Sequence, residues 1–381
     1  MLLIQEEILA GKNGSRKNKF KNIVMLDLTN RQNCFYWQTD RNLSPEDYKR
    51  IFLQRNEIST EAIINILKRG IKSIPNITNI EIIEPDENVL KGNVNIVRKV
   101  KINEKEYIVR MHPQGVKNGY FYVEKLALEE ANKKNIPAPK VLEIHEAEDE
   151  KDMDFALMTV CPGITMDIFL QTDKSNEKEL LFDCGRKMAE IHKIKIEGFG
   201  CFDNQLAKNL NILKGLHDTY HDFIHTGLQE NLERLIKYNI IDQEQSDKMY
   251  SVFEKYNFEP TDRPRIVHND FADWNLLTDG KTITGVLDWD ECHAGDPIAD
   301  LACWSTFFDI KRMDKFMEGY LSVSILPDDY DTRFHFYRLR YTISKMALRA
   351  KRYIVDQSPF IIEKLEVGKR ALEEETKWFG I

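Results

Sequence analysis

The spacing of apolar residues changes character along the chain, and the changes divide it into zones. After a polar, basic opening at residues 11–21, two runs of β-rich composition at 22–28 and 34–39 flank Thr29-Asn30-Arg31-Gln32-Asn33. That order predicts a hairpin with a polar turn. Two helices are expected next. The first opens at Ser44-Pro45, a capping serine followed by proline at the first helical position. The second spans residues 59–68 and stops at Gly70. This unit, residues 1–75, shows no pattern that points to chemistry; it reads as a regulatory or dimerising appendage, or as structural padding.

From residue 77 to 159 the period is mostly that of strands. Residues 95–102 and 106–111 flank the turn Asn103-Glu104-Lys105, residues 120–133 have helical spacing, and 141–144 and 155–160 are further apolar strands. After Pro162-Gly163 helical spacing prevails, except over 266–289, where two short apolar strands bracket a polar loop. No run approaches the ~18 apolar residues that span a bilayer. The best stretch, 298–308, carries Asp300 and predicts a buried helix. Near the N-terminus Gln5, Glu6 and Glu7 precede the basic residues, the reverse of a signal peptide.

A length of 381 residues suggests two domains or slightly more. Lysine and arginine number 54 against 62 aspartates and glutamates, a net charge of −8. That balance argues against nucleic acid or an anionic membrane as partner and fits an acidic cleft for a cationic small molecule. The six cysteines show no CxxC spacing and read as reduced thiols of a cytoplasmic protein.

Candidate chemistry concentrates at His268-Asn269-Asp270, with Asn275 five residues beyond the aspartate and Asp288 closing an apolar strand. Phosphoryl transfer needs a carboxylate that orients the acceptor hydroxyl and takes its proton, with oxygen ligands that hold Mg²⁺ across the phosphates. Asp270 on an interstrand loop suits the first role, and Asn275 and Asp288 supply hard oxygens to the same cleft. A phosphate loop of GxxxxGK[ST] type and the HExxH and GxSxG motifs are absent.

Taken together, His268-Asn269-Asp270, Asn275, Asp288-Trp289 and Gly295-Asp296-Pro297 with Asp300-Leu301-Ala302 resemble the aminoglycoside phosphotransferase family of kinase-like small-molecule kinases. The resemblance implies a bilobal, protein-kinase-like α+β fold: an antiparallel N-lobe with one helix at 76–159 and a helical C-lobe at 160–381. It implies ATP and Mg²⁺ as cofactors, Asp270 as catalytic base, and Asn275 with Asp288 as metal ligands. Upstream, Lys91-Gly92-Asn93-Val94-Asn95 resembles the family's nucleotide loop, which would put Gly92, Asn93 and Asn95 against the phosphates. Arg110 stands where the family carries its phosphate-gripping cation, with Lys101 as fallback. Glu124 stands at the position of its ion-pair partner, for which Glu129 and Glu130 compete. Thr159 to Cys161 resemble the adenine-binding hinge. The family often has glycine where this chain has Asn269.

His268 is expected to bond backbone near Asp288, Asp296 to fix the catalytic loop, and Asp300 to cap or pair nearby. His217, His221 and His225 recur every four residues, but three on a straight helix span ~12 Å and cannot converge on one metal ion. His217 and His221, with Asp290 and Glu291, are the candidate acceptor contacts. The basic run 338–352 reads as a solvated helix face. Only seven residues separate Asp288 from Asp296, leaving no room for a protein-kinase activation segment. The expected activity is phosphoryl transfer to a hydroxyl of a small molecule, an aminoglycoside or related antibiotic first, with choline, homoserine or another metabolite as alternative. A nucleotide-binding pseudoenzyme with a partner-binding N-terminal unit is the reading from another class, and dimerisation through that unit is an open alternative for either.

Overall fold

The computed structural model describes residues 26–41, 43–83, 95–149, 152–258, 263–308, 310–354 and 356–381. Its N-terminal part departs from the expected hairpin. Strand β1 (Leu26–Asp27) is followed not by a partner strand but by a turn and helix α1 (Trp37–Asp40). Cys34, Phe35, Tyr36 and Trp37 are all buried, a run that strand alternation cannot produce. The turn is closed by Asp40, whose carboxylate accepts the N–H groups of Phe35 (2.9 Å) and Tyr36 (3.0 Å).

Helix α2 (Pro45–Glu57) begins as expected, with Ser44 accepting the Asp47 N–H. Helix α3 (Thr60–Gly70) is capped by Ser59. Its buried stripe of Ile63, Ile66 and Leu67 shares a core with Ile80, Ile82, Val100, Val109 and Phe155. The helix lies so close that a Cβ on Gly70 would come 2.6 Å from the Phe155 ring. The boundary expected at residue 75 therefore does not divide two cores; α3 is part of the N-lobe.

That lobe is a five-stranded antiparallel sheet: β2 (Ile80–Ile83), β3 (Ile96–Ile102), β4 (Lys105–Met111), then β5 (Val116–Lys117) outside it, helix α4 (Phe121–Lys133), β6 (Val141–His145) and β7 (Phe155–Met158), in the spatial order β2-β3-β4-β7-β6. Tyr107, Val109 and Met111 point into the α3 core, so Arg110 between them faces the other side. β1 pairs in parallel with β5, Leu26 opposite Val116.

The C-lobe comprises β8 (Ile164–Thr165), α5 (Met166–Thr172), α6 (Glu177–Ile191), β9 (Phe199–Phe202), α7 (Asn204–Leu210), β10 (Gly215–His217), α8 (Tyr220–His225), α9 (Leu228–Lys237), α10 (Gln243–Lys255), β11 (Arg265–Val267), β12 (Leu276–Thr278), β13 (Ile283–Val286), β14 (His293–Gly295), α11 (Pro297–Ser305), α12 (Met313–Leu321), α13 (Tyr330–Tyr353) and α14 (Pro359–Phe379). Two small sheets, β10-β9-β14-β11 and β13-β12-β8, carry the polar loop between them. The molecule is thus the expected bilobal α+β arrangement. Helix α13 is a correction. It is no solvated face, because Arg340 is fully buried and Lys345 nearly so among Tyr337, Tyr341 and Met346. The Arg340 guanidinium satisfies its donors on the carbonyls of Ile224 and Thr226 and the Ser344 hydroxyl. Among the described residues no helix is long and apolar enough to cross a membrane.

Candidate active site

The loop after β11 is held from below by α11. Asp300 accepts the backbone N–H groups of His268 (2.7 Å) and Asn269 (2.9 Å), and the Cys303 thiol donates to the Asn269 carbonyl (3.1 Å). Asn269 takes φ +68°, a left-handed conformation that asparagine tolerates better than other non-glycine residues. His268, fully buried, sets its Nε2 3.0 Å from the Leu287 carbonyl, so it ties the loop to the turn before Asp288. Asp296 instead caps α11 and bonds Arg333 and Tyr337. The loop-fixing role expected of Asp296 belongs to Asp300, because only Asp300, one turn into the helix, faces the two amides.

Asn275 Nδ2 donates to the Asp270 carbonyl (2.9 Å) and carboxylate (2.8 Å). With the amide nitrogen so engaged, its oxygen is the atom left for a cation. Asp288, at φ +59°, is held outside the usual backbone regions at the head of the turn. One of its carboxylate oxygens lies 3.0 Å from Arg110 Nη2, while the side chain remains 44% exposed. The other guanidinium nitrogen of Arg110 bonds Glu124, which is buried on α4. The strand-borne cation thus clamps both the helix and the second loop. Burial, reinforced by the facing carboxylates of Asp288 and Glu291, holds the Asp270 carboxyl well above the usual range, with Lys345 and Asn275 pulling against it. A raised carboxyl is the tuning that a general base near neutrality needs.

The competing assignments separate cleanly. Lys101 pairs with Glu104 and Glu129 lies 3.9 Å from Lys125, all on the surface, as Glu130 does with Lys133. Gly92 and Asn93 lie outside the described residues. Asn95 is buried among Trp37, His112 and Asn118, its amide oxygen without a partner. In the hinge the Thr159 N–H already donates to the Lys140 carbonyl (3.0 Å). Cys161 borders Gly285, where an added Cβ would meet its own at 3.1 Å.

The four acceptor candidates are engaged elsewhere. Asp290 accepts from Arg31 through both its carboxylate (2.9 Å) and its carbonyl (2.6 Å). Arg31 is 1% exposed, bonds Asn118 and stacks on Tyr120 at 3.4 Å. Burial pushes the Asp290 carboxyl up, but Arg31 and Arg110 outweigh it and hold it below the usual range. Glu291 accepts the N–H groups of Trp37 (3.1 Å) and Gln38 (3.2 Å). His217 packs on Phe223, and His221 stacks on His225 at 4.0 Å. Neither has a hydrogen bond or ring contact with Asp270, Asn275 or Asp288. The three histidines do not share a helix, since His217 ends β10; His221, His225 and Glu254 bring their donor atoms within 4.8 Å of one another instead.

Residues 26–41 therefore form a strap across the turn that carries Asp288, a role the sequence did not signal. Arg31 sits in a stretch of turn-forming residues, and its partner is 259 positions away. Lys345 was hidden within the basic run.

The family model for the phosphotransferase enzyme family, APH, matches residues 88–334. A hygromycin-B 4-O-kinase of Escherichia coli is 23% identical over 190 residues, which cover 48% of this chain and 52% of that protein. The chain thus spans about half the length of that relative. Among solved structures, aminoglycoside phosphotransferase APH(4)-Ia in a ternary complex with AMP-PNP and hygromycin B superposes with a TM-score of 0.57 at 17% identity, covering 84% of this chain and 98% of its own. A protein of Thermobifida fusca assigned as a fructosamine-3-kinase gives 0.52 at 16% identity, covering 77% and 94%. With the family model spanning most of the chain, and with the lobes arranged as in these structures, the chain belongs to the APH phosphotransferase enzyme family.

Proposed function

We propose that this protein transfers the γ-phosphoryl group of ATP to a hydroxyl of a small molecule. The observation that carries the reading is the convergence of Asp270 and Asn275 from the loop after β11, Asp288 from the turn after β13 and Arg110 from β4. The Asn275 amide oxygen and the free Asp288 oxygen are the hard donors that Mg²⁺ prefers, and they would hold it. Bound there, the ion would neutralise charge on the phosphate oxygens. Arg110, fixed by Glu124, is placed to reach the phosphates with a forked cation. Asp270 accepts the proton of the acceptor hydroxyl as its oxygen bonds the γ-phosphorus; the bond from that phosphorus to the bridging oxygen breaks and ADP leaves.

Two observations bear on the acceptor. Asp290 and Glu291, the acids that would suit a polycationic aminoglycoside, are occupied by the strap. Lys345 is the charge that acts on Asp270 from α13, where a polycation would meet like charge. Both favour a metabolite over an aminoglycoside. The test is ATP consumption against a broad panel of hydroxyl compounds with wild type and Asp270→Asn. Turnover that survives the substitution undiminished contradicts the assignment.

A further inference from the structure

We infer that the acceptor carries an oxyanion, a carboxylate or a phosphate monoester, bound by a cluster of cations where α13 meets the strap. This rests on the phosphotransfer reading above. Lys345, Arg349 and Arg352 occupy positions i, i+4 and i+7 of α13, one stripe of the helix. Lys351 and the strap's Arg41 stand beside them. Their partners are uncharged. Lys345 Nζ donates to the Thr306 hydroxyl (2.6 Å) and lies 3.2 Å over the Phe307 ring. Arg349 donates to the Lys364 carbonyl (2.9 Å) and Arg352 to the Gln38 side-chain oxygen (2.8 Å). Lys351 reaches the carbonyls of Thr39 (3.2 Å) and Arg41 (3.4 Å). Arg41, 5% exposed, lies over the Trp37 and Tyr48 rings at 4.8 and 5.1 Å and leaves two guanidinium nitrogens buried without a hydrogen-bond partner.

Among the described residues no carboxylate lies within 4.0 Å of any of these five groups. Among the other buried cations, Arg31, Arg110 and Arg333 each hold an acid, while Arg340 is satisfied by two carbonyls and a hydroxyl. Arg41 and Lys345 are buried and Arg349, Lys351 and Arg352 half-buried; like charges gathered with no acid in contact are costly, and an anion placed among them relieves that cost. Burial together with this crowding lowers Lys345 to about 8 and Arg349 to about 10.

The cluster adjoins the catalytic loop. Cys303 touches both, its sulfur 3.1 Å from the Asn269 carbonyl and 3.4 Å from Lys345 Nζ. Tyr36 of the strap lies within the electrostatic reach of both Asp270 and Arg352. Along the helix, Arg349 and Arg352 stand roughly 6 and 10 Å beyond Lys345. An acceptor anchored there by its oxyanion would span a few bonds to put a hydroxyl at Asp270, the dimensions of a sugar acid or sugar phosphate. A polycation would meet repulsion at the same place.

The experiment uses the full chain saturated with Mg·ADP, so that the phosphate subsites of the nucleotide are filled, and follows calorimetric titrations of inorganic phosphate, gluconate, glucose and hygromycin B. Binding of phosphate or gluconate, with glucose and hygromycin B silent, is expected; which of the two binds identifies the oxyanion. In the double variant Arg349→Gln, Arg352→Gln that affinity is expected to fall at least tenfold, since two charge-assisted contacts are lost. The variant's Mg·ADP affinity reports that it has folded, and Arg349→Lys, Arg352→Lys, which keeps the charge, should recover part of the loss. Oxyanion binding that is absent, or unchanged in the double variant, or hygromycin B binding in its place, overturns the inference. Failure of the wild type to bind Mg·ADP would instead overturn the phosphotransfer reading.

Discussion

The two sides of the cleft are built on opposite electrostatic plans. On the donor side every buried charge has a counter-charge: Arg110 between Glu124 and Asp288, Arg31 on Asp290. On the acceptor side Lys345, Arg349 and Arg352 are satisfied by carbonyls, a hydroxyl and an aromatic face and have no acid in contact, Asp270 and Asp356 acting on Lys345 and Arg352 only at longer range. A paired site is already near its lowest free energy and serves to hold geometry, while an unpaired one stores the energy that a ligand of opposite charge releases. Under the proposed function, the contrast would put structural rigidity beside the nucleotide and selectivity beside the acceptor.

The comparison breaks most visibly at Asp270, which stands between the two sides. Asp270→Asn is expected to lower phosphotransfer roughly 10³-fold, within the range of general-base losses, while Mg·ATP binding persists. Rapid-quench measurement of ADP formation checks this. Next is the strap. Arg31→Ala strips the half-buried Asp290 carboxylate of its nearest cation, and a loss of about 3 kcal/mol in urea unfolding is expected. A surface appendage would show almost none.

A smaller effect sharpens the donor side. Arg110→Lys keeps one charge but cannot span Glu124 and Asp288 together, so Mg·ADP affinity is expected to drop about tenfold, or ~1.4 kcal/mol. The smallest effect concerns pH. Lys345 is buried, with Cys303, Arg349 and Asp270 around it, and its pKa is lowered to about 8 from an ordinary 10.5. Above pH 8 the native state releases a proton that the unfolded chain retains to 10.5, so stability rises with pH across that window. Relative to Lys345→Met, the wild type should gain roughly 1 kcal/mol between pH 7.5 and about 9, read by paired denaturant titrations. A flat difference would mean that Lys345 is already relieved by a counter-charge.

The two sides also differ in how far they could be read from sequence. The donor side is written in short spacings. Asp270 and Asn275 are five residues apart, and β-alternation alone puts Arg110 on the face opposite Val109, so the residues that meet in space were identifiable in the chain. The strap is written in contacts between positions some 250–310 residues apart, such as Trp37 with Glu291 and Gln38 with Arg352. Nothing in local period announces such pairs. Composition was misleading here. Aromatic residues at 35–37 read as a strand because β-propensity reflects packing on a half-buried surface, and these side chains found that burial in a helical turn instead. The basic run failed for a related reason: charge predicts exposure only where no buried carbonyl is available to satisfy it, and α13 runs past several. Asp300 and Asp296 exchanged roles because a single helical turn decides which of them faces the loop amides.

The assignment of the cleft is tested most directly by a crystal structure with Mn²⁺ and a non-hydrolysable ATP analogue. The expected anomalous peak lies between the Asn275 amide oxygen and the Asp288 carboxylate, with the terminal phosphate facing Asp270. A peak on any other group of donors, or a triphosphate turned away from Asp270, would contradict the account.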